Sequence, residues 1–183
     1  MLTFLLYALP TVVYVIWRTR RGDEAADAIA DAGARPGNLA EYGIAAVTII
    51  PVALIGWGAM LLVPAGLLQA GAGGLGQVLA PMVVILTMVR AAGQEIFFRG
   101  LLGGVLARRF GEGIGNLVQA ALFALPTAAL LAVSVGLLPI VLGQFLVGLL
   151  LGRLRMKLGT CFPGILSAGL GAIGANALFA LLS

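Results

Sequence analysis

Val78–Arg109 reads VLAPMVVILTMVRAAGQEIFFRGLLGGVLARR, an apolar run with QEIFFRG (Gln94–Gly100) near its middle. As one helix it would be about 48 Å long, more than the roughly 30 Å hydrocarbon core of a bilayer. It therefore either projects beyond the membrane or bends near Gly93. Charge inside a spanning segment is costly, and it marks either function or an ion pair that holds a bundle together. Glu95 and Arg99 are four residues apart with the acid first, the better order for an intrahelical pair. Gln94 shares a helix face with Arg90, also four apart. This run thus presents two adjacent polar pairs to a bundle interior. Read from the residues, Glu95–Arg99 is a structural ion pair, and Arg90 is a polar group for an interior cavity. The competing reading is an active centre within the membrane.

The rest of the chain fits a bilayer. Of 183 residues, 61% are hydrophobic and 10% charged, and the mean hydropathy is +1.12. A soluble domain of this size carries about 25% charged residues. The predicted fold class is all-α: a polytopic membrane helix bundle of about six transmembrane helices in one domain, residues 1–183. With one cysteine and no histidine, neither a disulfide framework nor a histidine metal site is available. No metal and no cofactor is predicted, and Cys161 reads as a small buried hydrophobe. The net charge of +4 reflects basic loops. Arginine in place of lysine, with abundant Ala and Gly, suggests a bacterial source. No positive segment precedes the first apolar run and no small-residue cleavage site follows it, so a retained first helix is predicted over a cleaved signal peptide.

The predicted spans are Leu2–Trp17, Tyr42–Leu68, Val78–Arg109, Ile114–Val133, Gly136–Leu151 and Phe162–Leu182. Pro10 is expected to kink the first. Residues 18–41 form a connector that reads as solvated, with a short Ala/Asp helix capped by Asp23 and stopped by Gly33. Arg18, Arg20, Arg21 and Arg35, then Arg108 and Arg109, then Arg153, Arg155 and Lys157 occupy alternate loops. The positive-inside rule puts those loops in the cytoplasm and both termini outside a bacterial plasma membrane. The opposite loops, Gln69–Gln77 and Ser134–Leu138, carry no charge.

Small residues mark expected packing faces: Gly148 and Gly152 in the fifth span, and Gly164, Ala168 and Ala172 in the sixth. The next step along that stripe is Asn176, read as an interhelical hydrogen bond or a polar group in a cavity. There is no internal repeat, phosphate-binding glycine loop, basic–aromatic stripe or heptad seam. Nucleic acid and nucleotide are therefore not expected partners.

Three motifs in order carry a family resemblance. QEIFFRGLL resembles the EExxxR motif of the CPBP intramembrane endopeptidases, the group that includes type II CAAX prenyl proteases and bacteriocin-processing or immunity proteins. ALFALPT is similar to that family's FxxxH helix, with Phe123 in place. FLVGLLLGRLRMKLGTCFPGIL resembles its glycine-spaced helix, turn and SxWPAIL entry to the HxxxN helix. The resemblance covers residues 78–182. It implies a bundle in which a glutamate and a histidine activate water for peptide hydrolysis, while a further histidine and an asparagine stabilise the oxyanion. Those four positions fall on Gln94, Thr127, Ala168 and Ala172, and none of these side chains supplies the implied chemistry. Glu95 and Arg99 alone stand in place among the motif positions. No catalytic residue is therefore assigned, and the resemblance predicts a neutralised, partly filled cavity in which Gln94 and Arg90 reach Thr127.

Three functions follow as alternatives. The leading one is a catalytically inactive, CAAX-protease-like membrane protein acting as a binding or scaffolding subunit with a membrane-protein partner. The second is an intramembrane CAAX-type endopeptidase, in a natural or an engineered inactive form. The third is a lipid or small-solute conduit with Arg90 as an anion contact.

Overall fold

The computed structural model describes residues 2–68 and 74–182. Part of the predicted uncharged turn Gln69–Gln77 lies outside them. Among the described residues, eight helices build the bundle: α1 (Leu2–Arg20), α2 (Ala25–Asp31), α3 (Leu39–Leu61), α4 (Pro81–Gln94), α5 (Gly103–Phe110), α6 (Glu112–Ala128), α7 (Leu138–Leu158) and α8 (Phe162–Leu182). Two single-turn helices, Ala65–Leu68 and Leu75–Val78, lie between α3 and α4. Among the described residues five segments are long and apolar enough to cross a membrane: Leu39–Leu61, Pro81–Phe110, Glu112–Ala132, Val135–Leu158 and Phe162–Leu182. The first predicted span corresponds to α1, a 19-residue helix outside that set. It packs against α4 and the segment that follows α4.

Local sequence accounts for the helix ends. Asn38 caps α3 by accepting from the Glu41 N–H at 2.9 Å, while the Glu41 carboxylate accepts from the Asn38 N–H at 2.7 Å. This reciprocal arrangement satisfies two otherwise orphaned donors. Gly159 stops α7 in the left-handed region at φ 71°, a conformation that glycine adopts without steric penalty. Pro10 and Pro51 both lie inside continuous helices.

The run Pro81–Phe110 neither breaks nor ends at Gly93. It stays helical but changes hydrogen-bond pattern: Glu95–Leu102 forms a π-helix between α4 and α5. Gly93 instead serves close approach, because a Cβ there would lie 3.3 Å from Phe4 of α1. Short π-helical insertions concentrate at functional sites, and this one coincides with the EIFFRG motif. The Thr11 hydroxyl of α1 donates to the Ile96 carbonyl at 3.4 Å. Tyr7, Phe97, Phe98 and Phe123 form a connected ring cluster with centroids 4.9 to 5.9 Å apart.

The 18–41 connector is exposed along much of its length, as expected for a solvated segment, but it is anchored at points. Ala28 and Ala32 are fully buried, and the chain docks on the glycines of the π-helix and α5. A Cβ on Gly100 would stand 2.5 Å from the Ala32 carbonyl oxygen, and one on Gly104 would stand 2.8 Å from that of Asp31. Small residues on both sides let the backbones meet directly. Asp23 does not cap α2. That position falls to Glu24, without a side-chain bond, because Asp23 pairs with Arg18. Gly33 does stop the helix, at φ 70°. Beyond it the connector is tied to the α7–α8 turn. Thr160 donates to the Arg35 carbonyl at 2.5 Å, the Cys161 N–H donates to the Gly33 carbonyl at 2.9 Å, and Arg35 donates to the Leu158 carbonyl at 2.6 Å. The predicted basic loops thereby gather at one end of the bundle, hereafter the basic end.

At the bundle centre α3 and α7 share a core of Ala45, Val52, Leu151, Leu154 and Leu158, against which Ala168 of α8 packs. The buried Ser167 hydroxyl donates to the Ala45 carbonyl at 2.7 Å. Gly171 is the tightest helix crossing there, since a Cβ would lie 2.7 Å from Val52 Cβ. The outward faces carry exposed Leu54, Ile85 and Leu142, apolar surface suited to lipid.

Candidate functional site in the bundle interior

α4, the π-helix, α6, α7 and α8 enclose a cavity of about 250 Å³. Arg90, Gln94, Glu95, Arg99, Ala168, Ala172 and Asn176 all line it. Seven residues singled out in the sequence, from the first motif, the last motif's helix and their flanks, therefore converge on one space. Thr127 does not join them. It lies half-buried near the end of α6, outside the cavity lining, and forms no hydrogen bond with Arg90 or Gln94.

The close-packing face predicted for Ala168 and Ala172 forms only in part: Ala168 packs against the α3–α7 core, and both alanines also line the cavity. On the same face Gly56 meets Ala175, while Met88 meets Gly169 and Val52 meets Gly171 at the other tight crossings of α8. The two alanines are left as small walls of an open space. Asn176 donates back to the Ala172 carbonyl at 2.8 Å, closing a bond within its own helix. Its role as an interhelical tie is therefore not realised. Thr87 and Gln144 also line the cavity. Each sits within a run of apolar residues, a signal present in the sequence but too common to single out.

Glu95 and Arg99 form the predicted pair, with a carboxylate-to-guanidinium distance of 3.2 Å and side chains 1% and 0% exposed. The pair does not satisfy itself. Both Glu95 oxygens and all three Arg99 nitrogens lack an aligned hydrogen-bond partner among the described residues. Packing determines where each side chain goes. Gly164 opens space for the carboxylate, since a Cβ there would be 2.8 Å from Glu95 Oε2. The Arg99 guanidinium lies over the Phe123 ring at 3.8 Å, an attractive contact for a desolvated cation.

The sequence order of the motifs and their meeting at one cavity point to a single family. The model of the Rce1-like type II CAAX prenyl endopeptidases matches residues 76–173. The chain belongs to this Rce1-like family. The match spans more than half of the chain and contains the π-helix, α6, α7 and the first half of α8. Comparison with curated proteins and with solved structures found no match. For an Rce1-like protein the cavity is chemically spare. Its carboxylate, Glu95, is engaged by Arg99, and no group of three or more His, Cys, Asp or Glu able to hold a metal occurs among the described residues.

Proposed function

We propose that this Rce1-like protein works by binding within the membrane and not by hydrolysis, as a scaffolding or recognition subunit of a membrane complex. One observation carries the reading: the cavity persists, but an amide (Gln94) and two methyl groups (Ala168, Ala172) stand on its walls. Peptide hydrolysis needs a base to activate water and donors where the oxyanion develops, each worth a factor of about 100 or more. Glu95 is the remaining carboxylate, and it lies beneath α8 against Arg99. Gentle purification in mild detergent tests the reading by seeking a stoichiometric membrane-protein partner. Repeated recovery of a lone monomer counts against it. Cleavage of membrane peptides by the wild type above a Glu95→Ala background would favour the endopeptidase instead.

The cavity also supports a second reading, a conduit for a lipid or small solute. Arg90 is exposed at its lining, beside Thr87, Gln94, Gln144 and Asn176. An experimental map showing a dry, closed interior around Arg90 would end that reading. For the orientation we propose that the basic end faces the cytoplasm, supported by the positive-inside rule.

A further inference from the structure

Arg99 lines two spaces. One is the interior cavity. The other is a cleft of about 180 Å³ that runs to Arg108, Glu112 and Arg155 at the basic end, with Gln119 and Gly152 along its wall. The polar groups here are unusual for their depth. Arg99 and Gln119 are each only 1% exposed. All three Arg99 nitrogens, Gln119 Nε2 and Arg155 Nε are buried without a hydrogen-bond acceptor among the described residues. An unpaired buried donor costs free energy, and a charged one costs more. The orphan groups on this cleft are donors, from three different helical segments. Arg108, at the rim, is already held by Asp31 and Tyr14.

Glycines keep the arrangement in place. A Cβ on Gly152 would lie 2.6 Å from Gln119 Oε1, and one on Gly33 would lie 2.5 Å from Arg155 Nη2. Gly152 thus holds Gln119 beside the cleft, and Gly33 lets Arg155 lie against the connector. Donors without acceptors, four of the five on two guanidinium groups, match an oxyanion that takes hydrogen bonds from several directions. The volume accommodates a phosphate group with ordered water and excludes an acyl chain. Glu112 at the rim can accept from a protonated phosphate oxygen, which favours the monoanion.

We propose that this cleft binds a phosphate group through Arg99, Gln119 and Arg155, either free phosphate or the headgroup phosphate of a lipid. The site shares Arg99 with the family's first motif and the interior cavity, while Gln119 and Arg155 lie outside both. The test uses the full chain in a phosphate-free neutral detergent. Thermal unfolding is followed against inorganic phosphate, with chloride at matched ionic strength as control, and in nanodiscs of phosphatidylcholine with or without phosphatidic acid. Ligand binding to the folded state raises the unfolding temperature saturably. Arg155→Gln and Gln119→Leu, each first shown to be monodisperse and cooperatively folded in chloride, should weaken that response about tenfold or more, the loss expected for one charge-assisted hydrogen bond. A saturable response to inorganic phosphate identifies the free ion, and a response confined to phosphatidic acid identifies the headgroup. No saturable response in either arm overturns the site. An identical response in wild type and both variants overturns it equally.

Discussion

The guanidinium of Arg99 stacks 3.8 Å above the ring of Phe123 while its own carboxylate partner, Glu95, lies 3.2 Å away without an aligned hydrogen bond. Thus α6 contributes a π face, and not a charge, to the most deeply buried cation of the bundle. Breaking a buried pair by removing one partner typically costs about 3–5 kcal/mol, because the other charge is left stranded. Arg99→Met should destabilise by that order in a detergent thermal melt. Replacing both partners, Glu95→Leu with Arg99→Met, should recover most of the loss. A double variant no more stable than Arg99→Met alone would contradict the pairing.

Gly164 is the second support of that carboxylate. Gly164→Ala would put a methyl 2.8 Å from Glu95 Oε2, and such overpacking typically costs about 1–3 kcal/mol. The same change at Gly113 of α6, where nothing lies within 4 Å, should be neutral or stabilising by up to about 1 kcal/mol. Equal unfolding temperatures for the two variants would refute this account of Gly164.

The connector is predicted to come loose when its glycine seat is filled. Gly100→Ala places a Cβ 2.5 Å from the Ala32 carbonyl oxygen. Limited proteolysis should then cut residues 21–38 faster than in the wild type while the spanning helices stay protected. An unchanged cleavage rate would show that the docking contributes nothing to order there.

Cys161, in the α7–α8 turn, reports on the same end. Burial pushes its thiol from the ordinary 9.0 up to about 12, and Glu95 adds to the shift. The group is neutral when protonated, and its folded pKa is the higher one. Its contribution to stability is therefore complete below about 9 and fades as pH rises toward 12. The wild type should lose stability over that alkaline window more steeply than Cys161→Ala. Parallel pH profiles for the two proteins would count against a buried thiol.

Restoring the first acid of the family motif should not restore hydrolysis. Gln94→Glu gives the cavity a second carboxylate but neither a histidine nor an oxyanion donor. Cleavage of membrane peptides is expected to stay at the Glu95→Ala background. Any rate above it, measured on purified protein, would reopen the enzymatic reading.

Much of this was legible from particular residues. Hydropathy with alternating arginine loops read out the helical membrane bundle, and three motifs in order read out the Rce1-like family. The i,i+4 spacing of Glu95 and Arg99 read out their pairing. The π-helix was not legible, because α- and π-helical segments share composition and differ only in which carbonyl each N–H reaches. The buried donors Gln119 and Arg155 were missed because amides within a helix and arginines near its end are common.

What the sequence determined by itself is the set of apolar segments and the chemistry at each motif position, since hydropathy and the presence or absence of a titratable side chain are properties of the residue alone. Only the tertiary structure decided how those positions are used. It turned Ala168 and Ala172 into cavity walls, kept Thr127 out of the cavity, and seated the connector on Gly100 and Gly104. It also gave Arg99 an aromatic face and two spaces to line. The physical reason is that in a bilayer the helices gain little from hydrophobic segregation against one another. Close backbone approach at individual glycines then decides which faces meet, and a one-dimensional pattern of small residues is compatible with several such choices.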